Sequence, residues 1–457
     1  MRKLYYQIPM PLKRLAFSLI PYQLIAGKNY TNTLKLCKYL DHADTGEIIA
    51  FQEKQLKKIL DYAVNKVPFY KPYKNRLHNV NNYRDALNYF PVISKKIVQE
   101  KFHDFISDDI ASIRYNEART GGSSGNQLLF YQDRVMYSIE MAFMHSQWQR
   151  VGYTPNCRKA TFRGVTFEHI GDKTFWQYNP IHNELQFSPF HMSDENLFYY
   201  VERLKHYRPF YLHGYPSALT NLAHYIIRNN LQNQISPLKA VLCCSEECSM
   251  QQRKTLEQAF CCRIYTWYGH SERVVLAGEC EESSVYHALP GYGICELLSS
   301  SGQSCSVGET GEIVGTGFWN FSMPLIRYNT EDAARFLASN CACKRCTMLF
   351  DQVESRWKSG VLSKNNTLIS AAALNVHEAV FDHAARFQYY QEKPGKLDIL
   401  IVPTEKWVAS DTEKILELHR KKVGDELDIK VIMTDHIPLT PAGKQMTIRL
   451  GYKPEGL

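Results

Sequence analysis

Arg119-Thr120-Gly121-Gly122-Ser123-Ser124-Gly125 lies between two strand-like runs, IRYNEA before it and QLLFYQD after it. Successive glycines free the backbone to curl its N–H groups around an anion, and the hydroxyls of Thr120, Ser123 and Ser124 add donors. A Walker-type loop would need Gly-Lys-Ser/Thr and a following helix, whereas here Asn126-Gln127 leads into a strand. The P-loop nucleotidase reading fails on that point. Two readings of the loop stand: a phosphate cradle, or a hairpin turn of small residues.

Outward from this loop the texture alternates. Strand-like runs (KATFRGV, PFYLHG, KAVLCC, RIYTWYG) are separated by helical patterns such as SALTNLAHYIIRNN and MQQRKTLEQAF, which argues for an α/β body with largely buried sheets. Upstream, Glu53, Leu56, Ile59, Leu60, Ala63 and Val64 recur at helical spacing and stop before Val67-Pro68, an amphipathic helix and its end. After about residue 355 come two further strands (KLDILIVP, IKVIMTDHI) and a charged helix from Asp411 to Val423. The expected fold is α/β: a large N-terminal domain over 1–354 with mixed β-sheets flanked by helices, its first 105 residues largely helical, and a small α+β domain over 355–457. A cleft is expected where a large and a small domain meet, a favoured place for ligands.

The chain has 457 residues, 44% of them hydrophobic, enough for two or three domains. Its 54 basic and 46 acidic residues are spread along the length without an Arg or Lys block, so nucleic acid is not expected as a partner. Thirteen cysteines, with adjacent pairs at Cys243-Cys244 and Cys261-Cys262, and no secretory h-region point to reduced thiols in the cytoplasm. The apolar stretch Leu15–Ile25, broken by Ser18, Pro21 and Gln23, is too short to span a bilayer. With Arg2, Lys3, Lys13 and Arg14 nearby, it could rest peripherally on an anionic membrane surface, although a helix packed on the body of the protein is the preferred reading.

Four more segments follow the glycine-rich loop in order: Gly214-Tyr215-Pro216-Ser217; Tyr268-Gly269-His270-Ser271-Glu272; Gly308-Glu309-Thr310-Gly311-Glu312-Ile313-Val314, running on to Met323-Pro324-Leu325-Ile326-Arg327-Tyr328-Asn329-Thr330-Glu331-Asp332; and Pro441-Ala442-Gly443-Lys444. Together they resemble the adenylate-forming superfamily of acyl-CoA synthetases. Within it they are similar to the phenylacetate-CoA ligase-like branch, which includes ligases of capsular and O-antigen polysaccharide clusters.

The resemblance implies an AMP-forming carboxylate ligase using ATP and Mg2+, with a small carboxylic acid as substrate and CoA, a carrier thiol or an amino sugar as acceptor. Glu272 offers Mg2+ a hard oxygen one step from Ser271, a phosphate donor. Asp332 would accept both ribose hydroxyls, with Arg356 approaching ribose or phosphates from the hinge between the domains. Lys444 would be carried into the site by the mobile small domain to stabilise negative charge during adenylation. The adenine is expected against Ser245-Glu246-Glu247, with Tyr268-Gly269 supplying a stacking face. The phosphates fall to Thr120, Gly121, Gly122, Ser123, Ser124 and Gly125, and the acyl pocket to the surroundings of Tyr215, Phe162 and His270.

Cys341-Ala342-Cys343-Lys344-Arg345-Cys346 packs three thiols into six residues, and Cys280 precedes His287 by seven. A C-x-C pair needs two further ligands to close a tetrahedral site, and Cys280 and His287 supply them. Related proteins of the polysaccharide branch look similar here, which supports a structural Zn2+. Unpaired cytosolic thiols are the competing reading, and Cys346 could replace one ligand.

The chain departs from the family pattern in places. Asn126-Gln127 stands for the usual Pro-Lys, Glu331 for a glycine before the ribose aspartate, and Ser355 for a glycine before Arg356. Such departures leave a catalytically silent homologue, a scaffold for polysaccharide assembly, as the alternative to a ligase.

Overall fold

A computed structural model describes residues 22–78, 80–120, 128–164, 167, 173–246, 248–338, 340–351, 353, 360–370, 374, 376, 378–438 and 448–452. Gly121, Gly122, Ser123, Ser124, Gly125, Glu247, Arg356 and Lys444 lie outside the described residues.

Helices α1 (Tyr22–Leu40) and α2 (Thr45–Lys66) come first. Asp44 begins α2 with a reciprocal cap: its carboxylate accepts the Glu47 N–H at 2.8 Å, and the Glu47 carboxylate accepts the Asp44 N–H at 3.0 Å. Leu56, Ile59, Leu60, Ala63 and Val64 of the stripe read from the sequence lie on the buried face of α2, whereas Glu53 turns to the Tyr83 and Arg84 amides; the helix stops before Val67-Pro68. Strands β1 (Tyr115–Arg119) and β2 (Leu129–Asp133) form an antiparallel hairpin around the glycine-rich loop. Helix α3 (Met136–Gln149) follows.

Next come β3 (Lys159–Phe162), β4 (Trp176–Asn179), β5 (Glu184–Phe187), α4 (Asp194–Tyr207), β6 (Tyr211–Gly214), α5 (Pro216–Arg228), β7 (Ala240–Cys243), α6 (Met250–Phe260) and β8 (Arg263–Gly269). Then a run of strands begins: β9 (Leu276–Gly278), β10 (Tyr286–Ala288), β11 (Gly293–Leu298), β12 (Thr310–Gly317), β13 (Tyr328–Leu337) and β14 (Leu349–Phe350). The last part holds β15 (Gly360–Leu362), β16 (Leu368–Ser370), β17 (Ala384–Gln391), β18 (Lys396–Pro403), α7 (Ala409–Val423), β19 (Asp428–Met433) and β20 (Ile448–Leu450).

These elements form two compact units. One comprises Met1–Thr31, Val151–Tyr265 and Trp357–Leu457, the other Asn32–Arg150 and Thr266–Arg356. The first contains the sheet β7-β6-β3-β5-β4, parallel except for β4 at its edge. Its inner strands β3, β6 and β7 are buried throughout, as parallel sheets covered by helices require. The same unit holds the hairpin β15-β16 and the mixed sheet β19-β18-β17-β20.

The second unit is built on the antiparallel order β11-β12-β13-β14-β10-β9-β8. Its core joins Leu56, Ile59 and Leu60 of α2 to Ala277, Ile294, Ile313 and Tyr328 of the sheet. No helix among the described residues is long and apolar enough to cross a membrane.

Candidate active site

Thr120 closes the neck of the glycine-rich loop. Its N–H donates to Leu128 O at 3.0 Å and its Oγ1 accepts the Leu128 N–H, also at 3.0 Å. The hydroxyl therefore has an architectural duty that the sequence did not disclose. Strand β2 is tied on both sides: Gln132 Nε2 donates to Ser271 O at 2.6 Å, and the Asp133 carboxylate accepts the Ser322 N–H at 2.7 Å.

The second and third ordered motifs meet within the antiparallel unit. Tyr268, on β8, donates its hydroxyl to Asp332 Oδ2 at 3.0 Å, and Tyr328, on β13, donates to Glu272 Oε1 at 2.7 Å. Burial, then the adjacent carboxylate, raises the pKa of each tyrosine, so both remain hydroxyl donors.

Asp332 owes its placement to an irregularity in β13. Glu312 pairs with Ala333 but Val314 pairs with Asn329, so residues 330–332 are looped out opposite Ile313. Thr330 Oγ1 donates to Ile313 O at 2.9 Å, Glu331 N–H donates to Asn329 Oδ1 at 2.7 Å, and Glu331 takes φ +64°. That left-handed backbone explains why glycine suits this position. The preceding Met323–Arg327 segment is held by Tyr70, whose hydroxyl donates to Pro324 O (3.3 Å) and accepts the Ile326 N–H (3.1 Å). Arg327 completes the support through a two-point pair with Glu296, at 2.9 and 3.2 Å.

His270 lies between these groups in sequence. Its Nε2 accepts the Val274 N–H at 3.4 Å, and burial lowers its pKa, so the ring is neutral with its proton on Nδ1. That buried Nδ1 has no hydrogen-bond partner among the described residues.

Ser245 and Glu246 belong to the other unit, after β7. Ser245 turns the chain at φ +63°, and both Glu246 oxygens are engaged at the start of α5, accepting the Ser217 N–H and hydroxyl at 3.1 Å each. Glu246 is thus a helix-terminal carboxylate in a position where acidic groups are stabilising. Phe162 stacks on Phe187 within the core (4.8 Å), and the Tyr215 hydroxyl accepts the Gly164 N–H at 3.2 Å.

Cys280, His287, Cys341 and Cys343 gather with their ligand atoms all within 4.8 Å of one another. Cys280 Sγ is 3.5 Å from Cys341 Sγ, and Cys343 Sγ is 3.8 Å from His287 Nε2. Tetrahedral zinc, with bonds of about 2.3 Å to sulfur and about 2.0 Å to nitrogen, spaces its ligand atoms by roughly 3.5–3.8 Å, so the donor set fits a metal ion. His287 pairs Nδ1 with Thr347 Oγ1 at 2.8 Å, leaving Nε2 to the cluster, and burial lowers its pKa to about 4. Around the cluster, Arg345 pairs with Glu281 (2.6 and 2.9 Å) and Asp41 (3.3 Å). Cys346 is exposed and outside the group.

The 2-hydroxyisobutyryl-CoA ligase structure holding 2-HIB-AMP and CoA in the thioesterification state superposes with a TM-score of 0.60, at 15% identity over 90% of this chain and 91% of that one. The same ligase in the postadenylation state, with R3-HIB-AMP, gives 0.56 at 14% identity over 90% and 91%. The chain has the adenylate-forming ligase fold. Residues 361–449 of this ligase-fold chain match the family described as the CapK C-terminal domain. Protein CapK of Staphylococcus aureus is 22% identical over 417 residues, covering 88% of this chain and 89% of the relative.

Within that fold, Tyr328, Thr330, Thr347 and Arg345 have duties that sequence reasoning missed. Tyr328 and Thr330 stood inside a quoted motif without a role; their spacing from Asp332 was the available signal.

Proposed function

We propose that this protein activates a small carboxylic acid with ATP and passes the acyl group to CoA, a carrier thiol or an amine such as an amino sugar. In the first half-reaction a carboxylate oxygen attacks the α-phosphorus, an acyl–O–P bond forms, and pyrophosphate leaves with the electron pair of the broken P–O bond. In the second, the thiol or amine attacks the acyl carbon, loses its proton, and AMP departs.

The observation that carries this reading is the pair of bonds Tyr268–Asp332 and Tyr328–Glu272, which join two motifs far apart in sequence. Asp332 would turn its carboxylate to the ribose hydroxyls. Glu272 would hold Mg2+, a cation that keeps few protein carboxylates and takes its remaining ligands from phosphate and water. Bound there, the ion would offset charge building on the phosphates. Ser271 would donate to a phosphate, and Lys444, with Arg356, would supply positive charge during adenylation.

The chain is further proposed to divide after residue 354, with 355–457 as the moving small domain. Cys280, His287, Cys341 and Cys343 would hold a structural Zn2+. Cytoplasmic placement is proposed from the cysteine usage, and a part in surface polysaccharide assembly from the sequence resemblance.

Acid-dependent exchange of labelled pyrophosphate into ATP tests the reading. Exchange with at least one member of an aryl, fatty and amino acid panel is expected, reduced by orders of magnitude in Lys444→Ala. No exchange across the whole panel would leave the scaffold reading in its place.

A further inference from the structure

One end of the parallel sheet gathers positive charge; the acid next to it, Glu184, is buried against Lys159 at 3.8 Å. Lys159 is in register with Glu184 and with Tyr211, and Tyr211 with Ala240, so β3, β5, β6 and β7 start level. The residues one step upstream, Asn183, Arg158, Phe210 and Lys239, therefore form a row at the strand spacing of about 4.8 Å. Backbone bonds fix it: Phe210 N–H donates to Arg158 O and Lys239 N–H to Phe210 O, both at 2.8 Å.

Phe210 is 39% exposed, with the Arg158 guanidinium 5.2 Å and Lys239 Nζ 5.8 Å from its ring centre. Exposed Arg208 is two residues away, at the end of α4. At the same end, Tyr22 sets its ring 5.6 Å from His182, just before β5. Tyr22 opens α1, whose first turn carries the exposed Leu24 (75%) and Ile25 before the chain kinks at Gly27 (φ +81°).

The segments 22–30, 154–158, 180–183, 207–210 and 229–239 contain no Asp or Glu, in a chain with 46. Some surface cations elsewhere are neutralised by ion pairs, as in Lys57–Asp61 and Lys421–Glu417. Arg158, Arg208 and Lys239 have no ion pair among the described residues. A helix terminus accounts for Arg208, but Arg158 and Lys239 precede strands, where no helix dipole acts on them.

We propose that this end of the sheet docks the protein on an anionic lipid surface. Phe210, Leu24 and Ile25 enter the headgroup layer, and Arg158, Arg208 and Lys239 meet lipid phosphates. A level row of strand ends suits a flat surface. Gly214 and Ser245 lie at the opposite, C-terminal ends of β6 and β7, so docking leaves that side of the sheet open to ligands.

The test is flotation of the full chain with phosphatidylcholine vesicles, with and without roughly 30% phosphatidylglycerol. Wild type is expected to float only with the anionic vesicles and to detach as salt rises. The variant Arg158→Glu/Phe210→Ser/Lys239→Glu should reduce the bound fraction about tenfold at an unchanged melting midpoint. Leu24→Ser, at a highly exposed position, gives an independent weakening should the triple variant misfold. Absence of wild-type flotation overturns the proposal. So does undiminished flotation of the folded triple variant, or retention on a polyglutamate matrix without vesicle binding, which would assign this end of the sheet to an acidic protein.

Discussion

The Tyr268 hydroxyl donates to Asp332 Oδ2 at 3.0 Å, fastening the end of β8 to the looped-out segment of β13. Under the adenylation reading, Asp332→Ala should raise the KM for ATP in pyrophosphate exchange by about 10–100-fold, the worth of hydrogen bonds to a charged group. Tyr268→Phe removes one neutral donor and should change it by less than about tenfold. Equal effects of the two changes would contradict direct ribose contact by Asp332.

Glu331 carries a side chain in a backbone conformation suited to glycine. Glu331→Gly should therefore stabilise the protein by about 1 kcal/mol, read as a higher denaturant midpoint with unchanged slope. Its stabilising hydrogen bond to Asn329 uses the main-chain N–H and survives the substitution.

How far was this legible in the sequence? The runs KATFRGV, KAVLCC and RIYTWYG fall on β3, β7 and β8, and KLDILIVP is β18, because uninterrupted apolar or alternating runs report burial directly. Cys280, His287, Cys341 and Cys343 were likewise legible, since few residue types bind metal and their spacing is restrictive. The Glu246–Ser217 cap was not, because a carboxylate beside a nucleotide-type motif reads the same whether it faces a ligand or a helix end. Nor was the β13 irregularity, which depends on register with β12 rather than on any local pattern.

The proposed zinc site of Cys280, His287, Cys341 and Cys343 is testable separately from adenylation. Cys341→Ser or Cys343→Ser should abolish stoichiometric zinc in the purified protein and lower its melting midpoint, whereas Cys346→Ser should leave both unchanged. Metal analysis and calorimetry of the three variants decide it. Zinc retained in Cys343→Ser would refute the assignment of that ligand.

His419 should make stability fall in acid. It is buried on α7, its Nδ1–H donates to Ile415 O (2.8 Å), its Nε2 accepts the Tyr389 hydroxyl (2.9 Å), and burial lowers its pKa to about 4. The unfolded chain takes up a proton near the ordinary value of about 6.5, but the folded state resists until about 4. Stability from the neutral ring is therefore complete above that window and is lost through it, by up to roughly 3 kcal/mol. His419→Leu should flatten this part of the stability–pH curve measured by denaturant unfolding, even if it lowers the plateau.

The two bonds from Ser217 to Glu246 make the loop after β7 and the first turn of α5 a single thermodynamic element. A ligand that recruits the Glu246 carboxylate must release the Ser217 amide, and one that leaves it in place inherits a loop already ordered before binding. Amide exchange at Ser217 would register the difference: faster on ligand addition in the first case, slower or unchanged in the second. The start of a helix thereby becomes a reporter for events in a loop some thirty residues further along the chain.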